Sequence, residues 1–213
     1  MFREDALIYI VRGHEEHNVE YKESMPWSDR RAQLDITRAM LAMANHRDGG
    51  VIVIGVRETG KNGICVPEGM SEAHFSSFSY DGISKIVRNF ADPLIEFKLD
   101  MNEAEIGGEN RKFGFIQVSE SLDPTICVRS EKFNQSADWQ PKNIALRANA
   151  IYIRSKAPIE SREIATVHEW RELIDRCVEK KSSYFTKYAG FVIPPGVVNP
   201  TDIERFNKDG DDL

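Results

Sequence analysis

The stretch from Ile36 to Glu58 limits what this chain can fold into more than any other. Ile36, Met40, Met43 and Ala44 recur at helical spacing in a run without Gly or Pro, which predicts a helix with one apolar face. Asn45 is a natural helix end, and Gly49-Gly50 allows backbone angles that a side chain resists. Val51-Ile52-Val53-Ile54 follows. Four consecutive β-branched apolar residues read as a strand buried on both faces. A helix, a glycine turn and a central strand running into Gly55-Val56-Arg57-Glu58 form one rigid unit, and chemistry is expected near its ends.

The rest of the chain supplies layers for that unit. Glu4 to Arg12 is expected to be a short amphipathic helix stopped by Gly13, and His14 to Asn18 a polar turn. Val19 to Glu23 alternates, placing Glu20 and Lys22 on one strand face and Val19 and Tyr21 on the other. Ser28 or Asp29 can cap the following helix. Beyond the central unit, Ile64-Cys65-Val66 is a short strand, and residues 67–79 carry no clear pattern. Ile83, Ile86, Val87 and Phe90 mark a helix ended by Asp92-Pro93. Ile95, Phe97, Leu99 and Met101 alternate as a half-buried strand that pairs across Gly107-Gly108 with Lys112 to Val118. Further strands are expected at 125–128, 143–146 and 151–154, the last two across an Arg147–Ala150 turn, with loop between 129 and 142. After Pro158, Ile164, Val167, Trp170, Leu173, Ile174 and Val178 predict a long amphipathic helix down to Lys180-Lys181. The expectation is an α/β (α+β) fold: a mixed β-sheet with flanking helices in a single lobe over 1–158, a helical extension over 159–190 and a poorly ordered tail over 191–213.

Composition narrows the function classes. With 213 residues, 41% hydrophobic and 29% charged, the chain suits one globular domain with a full core. No apolar run reaches membrane-spanning length, and Met1-Phe2-Arg3-Glu4-Asp5 lacks a signal-peptide pattern. Cys65, Cys127 and Cys177 stand singly, which argues against a disulfide framework or zinc site and makes a reducing cytoplasm the default. No Gly-x-x-x-x-Gly-Lys-Ser/Thr loop is present, so a nucleotide-hydrolysing reading is weak. Net charge is −6, but unevenly spread. Arg129, Lys132, Lys142, Arg147, Arg154 and Lys156 meet only Glu131 and Asp138 within residues 129–156. With Phe133 and Trp139 they could form a surface that tracks phosphates and stacks bases, although scattered basic residues are also what ordinary solvation produces.

Several ordered motifs together resemble the Schlafen AlbA-type domain family: Glu20-Tyr21-Lys22-Glu23-Ser24, Ala42-Met43-Ala44-Asn45, Gly49-Gly50-Val51-Ile52-Val53-Ile54-Gly55-Val56, then Gly63, Pro93, Pro124 and Tyr152-Ile153-Arg154. The resemblance spans about residues 15–155. It implies a small α/β module with one of two activities. In Schlafen proteins the domain is a metal-dependent RNase that cuts transfer and ribosomal RNA with three carboxylates, whereas many prokaryotic relatives are regarded only as DNA-binding or regulatory modules. By that resemblance Glu15 and Glu20 match the two glutamates of Glu-x-x-x-x-Glu-aromatic-Lys, and Glu58 the third acid, with Arg57 where many relatives carry another acid. Eukaryotic Schlafens enclose RNA between two lobes, which implies a possible homodimer here.

The residues themselves support a consistent chemistry. Phosphodiester cleavage needs an activated water and a hard cation held by carboxylate oxygens. If strands 19–23 and 51–56 are neighbours, Glu15, Glu20 and Glu58 converge, and Lys22, on Glu20's face, can meet the scissile phosphate. An acid followed by Glu-x-Lys is locally similar to restriction-type nucleases. The expected cofactor is Mg²⁺ or Mn²⁺ on Glu15, Glu20 and Glu58, and the expected partner is nucleic acid, RNA before DNA, met by Lys132, Lys142, Arg147, Arg154 and Lys156. The plainer reading makes Glu20 and Lys22 a solvated surface pair, Glu58 a turn residue, His14 and His17 a polar helix terminus, and Asn45 with Gly49-Gly50 a helix stop rather than a phosphate cradle. The chain is then a noncatalytic DNA- or RNA-binding regulatory module.

Overall fold

Asp29 begins the central unit. Its carboxylate accepts the Arg31 N–H at 2.9 Å, and helix α1 runs Arg30–Ala44 before Asn45 ends it. The computed structural model describes residues 8–10, 14–59, 64–133 and 143–192, with side chains in the last span as far as 187. Ile8 to Ile10 are helical, and the rest of the helix expected over 4–12 lies outside the described residues. Toward its C-terminal end α1 is buried on every side, from Ala39 to Ala44. It packs against strands of two different sheets.

The first sheet has the order β1-β2-β7-β6. Strand β1 (Val19–Lys22) runs parallel to β2 (Gly50–Ile54), with Glu20 beside Ile52 and Lys22 beside Ile54; α1 makes the crossover between them. β2 pairs antiparallel with β7 (Glu109–Val118), which turns back at Gly107-Gly108 from β6 (Phe97–Ile106). Every residue of β2 is buried. Ile52 and Ile54 enter the core beneath α1, while Val51 and Val53 enter a second core with Val19, Tyr21, Phe113 and Phe115. The expected neighbour relation of residues 19–23 and 51–56 is therefore present.

Gly49 shows why the turn before β2 is glycine. Its φ is +73°, and an added Cβ would stand 2.1 Å from the Val118 carbonyl oxygen. No side chain fits there, so the tight passage from α1 into β2 requires this residue.

Past Gly55, β3 (Val56–Thr59) and β4 (Ile64–Pro67) form a separate hairpin. The patternless region after it contains α2 (Glu72–Ser77), and α3 (Tyr80–Val87) follows. The second sheet, order β12-β11-β8-β5, comprises β5 (Ala91–Asp92), β8 (Ile126–Cys127), β11 (Ala150–Lys156) and β12 (Ile159–Glu163). β9 (Glu131–Lys132), inside the expected loop, pairs with β10 (Ile144–Leu146). β10 and β11 flank the expected turn without pairing to each other: β10 takes β9 as its partner, and β11 takes β8 and β12. β12 had no signature: Ile-Glu-Ser-Arg-Glu does not alternate in hydropathy, and its conformation comes from the antiparallel ladder with β11. The whole is an α+β fold with mixed sheets, and no barrel closes among the described residues.

Helix α4 (Val167–Val192) continues beyond Lys181. Its first turn is a capping box: Thr166 Oγ1 accepts the Glu169 N–H at 3.2 Å, and Glu169 Oε2 accepts the Thr166 N–H at 3.0 Å. Arg162 Nη2 donates to the other oxygen at 2.5 Å. The Arg162 hydrogen bond, ahead of the two backbone bonds and against the smaller opposing effect of burial, pulls the Glu169 carboxyl down to about 2. A folded-state pKa below the unfolded one means that this stabilisation is complete above about pH 4.5 and disappears as pH falls toward 2. Glu169→Gln is therefore expected to be less stable than wild type near neutrality by about 1 kcal/mol. The gap should close in acid-titrated urea melts as pH approaches 2; a gap independent of pH would refute the assignment.

Candidate active site

β1 delivers Glu20 and Lys22 to the same face, with Glu20 buried and Lys22 partly exposed. Glu20 is 5% exposed. Its Oε1 meets Lys22 Nζ at 2.7 Å, and its Oε2 accepts from Arg154 Nη1 at 2.7 Å and from Ser161 Oγ at 2.6 Å. Burial is the largest single influence on this carboxyl and pushes its pKa up. The charges of Lys22 and Arg154, with hydrogen bonds from Lys22 and Ser161, outweigh it and hold the group below the usual carboxylate range. The solvated-pair reading of Glu20 and Lys22 is thereby excluded.

Glu15 approaches from the turn before β1, where its Oε1 accepts the Tyr21 N–H at 3.2 Å. Burial raises its pKa, and the negative charges of Glu20 and Glu58 add to that rise against the Tyr21 N–H and Arg154. Glu58 reaches the same region from β3, opposite Cys65, and is exposed. Arg57, the next residue along the strand, faces away and donates to Glu68 Oε1 at 2.5 Å. The Cys65 thiol is pushed up to about 11 by burial, then by the charges of Glu15 and Glu58, so it stays protonated near neutrality. Three carboxylates that repel one another fit a hard divalent cation in donor chemistry. Among the described residues, however, no three His, Cys, Asp or Glu side chains already stand in a metal-holding group.

Arg154 organises this corner. Its side chain has no exposed surface. Nε donates to the His17 carbonyl at 3.2 Å, Nη1 to Glu20 and to Ser161 Oγ at 3.3 Å, and Nη2 to the carbonyls of Glu16 at 3.2 Å and Val19 at 3.1 Å. All five guanidinium N–H groups are thus spent inside the protein. The expectation that Arg154 meets nucleic-acid phosphates is corrected: it positions the acids instead. Ser161 was not anticipated, because nothing in the sequence pairs it with a residue 141 positions away.

The other expected cations lie apart. Lys156 Nζ is 2.5 Å from Glu172 of α4, and Lys142 and Trp139 lie outside the described residues. Arg147 stands 3.5 Å from Glu163, and Lys132 sits on β9. Arg129 and Phe133 of the expected basic surface are joined by α1 arginines that sequence reasoning missed. Arg31 and Arg38 from α1 lie over the Phe133 ring at 5.5 and 5.4 Å, and Arg30 and Arg129 over Phe90 at 5.6 and 5.9 Å. Buried Glu131 offsets Arg30 and Arg129. The i, i+7 placement of Arg31 and Arg38 on α1 was the available signal.

Between α4 and the domain lies a cleft of about 380 Å³ lined by His17, His46, Arg47, Lys156, Glu172 and Glu179 among others. Its charges are matched, Lys156 with Glu172 and Arg47 with Glu179 at 2.7 Å. The stacked rings of His17 and His46 are 6.4 Å apart. Asn45 and Gly49 form no phosphate cradle: the Asn45 amide is buried in bonds to Thr125 and Tyr152, and the Gly49 N–H donates to the His46 carbonyl.

An α+β lobe whose first parallel strand pair carries a buried, cation-caged acid site is the class defined so far. A family profile described as Schlafen, AlbA_2 matches residues 15–160, and the chain belongs to that family. Membership suggests a nucleic-acid-related function. No curated protein matches the chain. Among solved structures, the DIP2311 protein from Corynebacterium diphtheriae is similar over 81% of this chain at 15% identity and a TM-score of 0.45. The chain spans 32% of that protein's length. The N-terminal domain of a putative ATP-dependent DNA helicase RecG-related protein from Nitrosomonas europaea is similar over 77% of this chain and 92% of that domain, at 18% identity and a TM-score of 0.34. No helix of the described residues is long and apolar enough to cross a membrane.

Proposed function

We propose that the chain binds RNA and hydrolyses its phosphodiester backbone at Glu15, Glu20 and Glu58, with Lys22 assisting and Mg²⁺ or Mn²⁺ as cofactor. One observation carries this reading: Glu15 and Glu20 stand on the same Arg154 guanidinium, at 3.7 and 2.7 Å, with Lys22 2.7 Å from Glu20, and Glu58 lies near enough for its charge to push the Glu15 carboxyl up. Glu15, Glu20 and Glu58 would hold the ion, which supplies charge neutralisation and a more acidic water. Lys22, partly exposed and already anchored on Glu20, meets the phosphate. Arg154 keeps both acids in place. The basic surface of Arg31 and Arg38 around Phe133 would carry RNA backbone outside the site.

A second reading, a noncatalytic nucleic-acid-binding module, is favoured by one feature. Both Glu20 oxygens are already committed to Lys22, Arg154 and Ser161, so an ion must displace Lys22 to reach them. The readings separate on transfer RNA incubated with Mn²⁺. Hydrolysis requires cleavage that a chelator abolishes and that Glu58→Gln, a substitution at an exposed position, lowers by roughly 10²-fold with RNA binding and unfolding midpoint unchanged. Binding without cleavage would favour the module, and cleavage indifferent to chelator would sink the metal.

A further inference from the structure

Helix α4 meets the domain in two different ways. Its anchor is buried: Arg176 donates to Glu120 at 3.0 Å and to the Ser121 carbonyl at 2.7 Å, and Leu173 and Cys177 pack on Ile151. Around that anchor the helix turns a row of acids into the cleft. Glu169, Glu172, Asp175 and Glu179 line it, at spacings of three, three and four that keep them on one side of a helix. His17, His46, Arg47, Arg154 and Lys156 line it from the domain. Arg154 is also the residue that carries Glu15 and Glu20, so the cleft borders the acid site. Among the described residues two ion pairs cross this cleft, Lys156 with Glu172 at 2.5 Å and Arg47 with Glu179 at 2.7 Å. Their side chains are 67 and 42% exposed in the first pair and 60 and 58% in the second, so each is worth little and opens readily. Neither belongs to the anchor: Glu172 lies four residues before Arg176 and Glu179 three after it.

We propose that Glu172 and Glu179 stand where RNA phosphates would sit, so that α4 masks a strand-binding surface, Arg47 with Lys156, beside the acid site. The inference rests on the nucleic-acid-binding reading above and not on cleavage. The two carboxylates are seven residues apart, about 10.5 Å along a helix, and three nucleotide steps of a stacked strand cover about 10 Å. A phosphate chain therefore matches the two cations that the helix now neutralises. An incoming strand gains these two contacts only by breaking two ion pairs of similar worth, and it meets the charges of Glu169 and Asp175 beside them. The surface contributes little until the carboxylates turn away. That step needs only side-chain rotation and leaves the Arg176 anchor in place.

Binding is read by fluorescence anisotropy of a labelled single-stranded oligouridine of about twenty nucleotides, in EDTA so that nothing is cut, between about 0.05 and 0.2 M salt. Glu172→Gln with Glu179→Gln, both at exposed positions, should bind roughly tenfold tighter near 0.1 M salt, with a salt slope steeper by about 1.4, the value for two more phosphates on a single strand. Adding Arg47→Gln and Lys156→Gln to that variant should return both quantities to those of wild type. The same two changes made in wild type should alter affinity by less than about twofold, because the cations are already occupied. Asp100→Asn with Glu105→Gln removes the same charge from β6, outside the cleft, and should leave the slope unchanged. A gain that survives the loss of Arg47 and Lys156, or one that the β6 variant reproduces, would overturn the masking. Wild-type binding with no gain in the doubly neutralised variant removes this inference alone, whereas a set in which no protein binds RNA removes the nucleic-acid reading with it.

Discussion

Arg154→Met is expected to destabilise the domain by about 3–5 kcal/mol, the scale for removing one partner of a buried ion pair. The substitution keeps the length and apolar stem but removes all five donors. Glu20 then holds a buried charge on Lys22 alone, and the carbonyls of Glu16, His17 and Val19 lose their partner. Lysine should not rescue it, because one ammonium cannot serve five acceptors in a planar fan. The pH dependence has a defined sign. Glu20's folded pKa lies below the ordinary 4.5, so wild type gains stability from it above that value and loses it as pH falls further. In Arg154→Met this contribution shrinks, and the difference from wild type narrows in acid. Glu20→Gln combined with Arg154→Met should cost less than the two single changes added together, since removing both charges strands neither. Urea melts of the four proteins give the cycle; a single-variant cost under about 1 kcal/mol would remove Arg154 from its organising place.

The same residue shows where sequence reasoning reaches and where it stops. The central helix–turn–strand was legible because each part is dictated locally: periodicity sets α1, the β-branched run sets β2, and the turn between them admits only glycine at position 49. From that unit the parallel neighbour β1 follows, and with it the approach of Glu15, Glu20 and Glu58. What surrounds the acids was not legible. Arg154 and Ser161 reach Glu20 from β11 and β12, and a pairing over 134 or 141 residues is written in no local pattern. One cue did exist: Ile151, Tyr152 and Ile153 precede Arg154 without a polar break, which marks a cation entering a core rather than facing phosphate. For Lys156 there was none, since its partner Glu172 belongs to a helix whose docking direction depends on β12.

Asn45→Ala carries the other large expected effect, about 3 kcal/mol or more, because it strands several buried groups at about 1–3 kcal/mol each. The Asn45 side chain is the only polar link among α1, the loop before β8, and β11 at its position in the described core. Its Nδ2 lies 2.8 Å from the Thr125 carbonyl oxygen, 3.0 Å from that of Tyr152 and 3.2 Å from that of Leu41, and its Oδ1 accepts the Thr125 N–H at 2.8 Å. Alanine leaves these partners facing one another where water does not reach. Asn45→Asp is the sharper probe. It has the same shape, yet the carboxylate would face three carbonyl oxygens without a proton to offer, so at neutral pH it should cost more than alanine. Protonation supplies one donor and should recover part of the loss, so this variant, unlike Asn45→Ala, gains stability relative to wild type on acidification. Because the amide ties the end of α1 to the second sheet, near-ultraviolet circular dichroism should report loosened packing around Tyr152 before the global transition. An aspartate variant as stable as wild type at neutral pH would mean that α1 is held on the second sheet by apolar contacts alone.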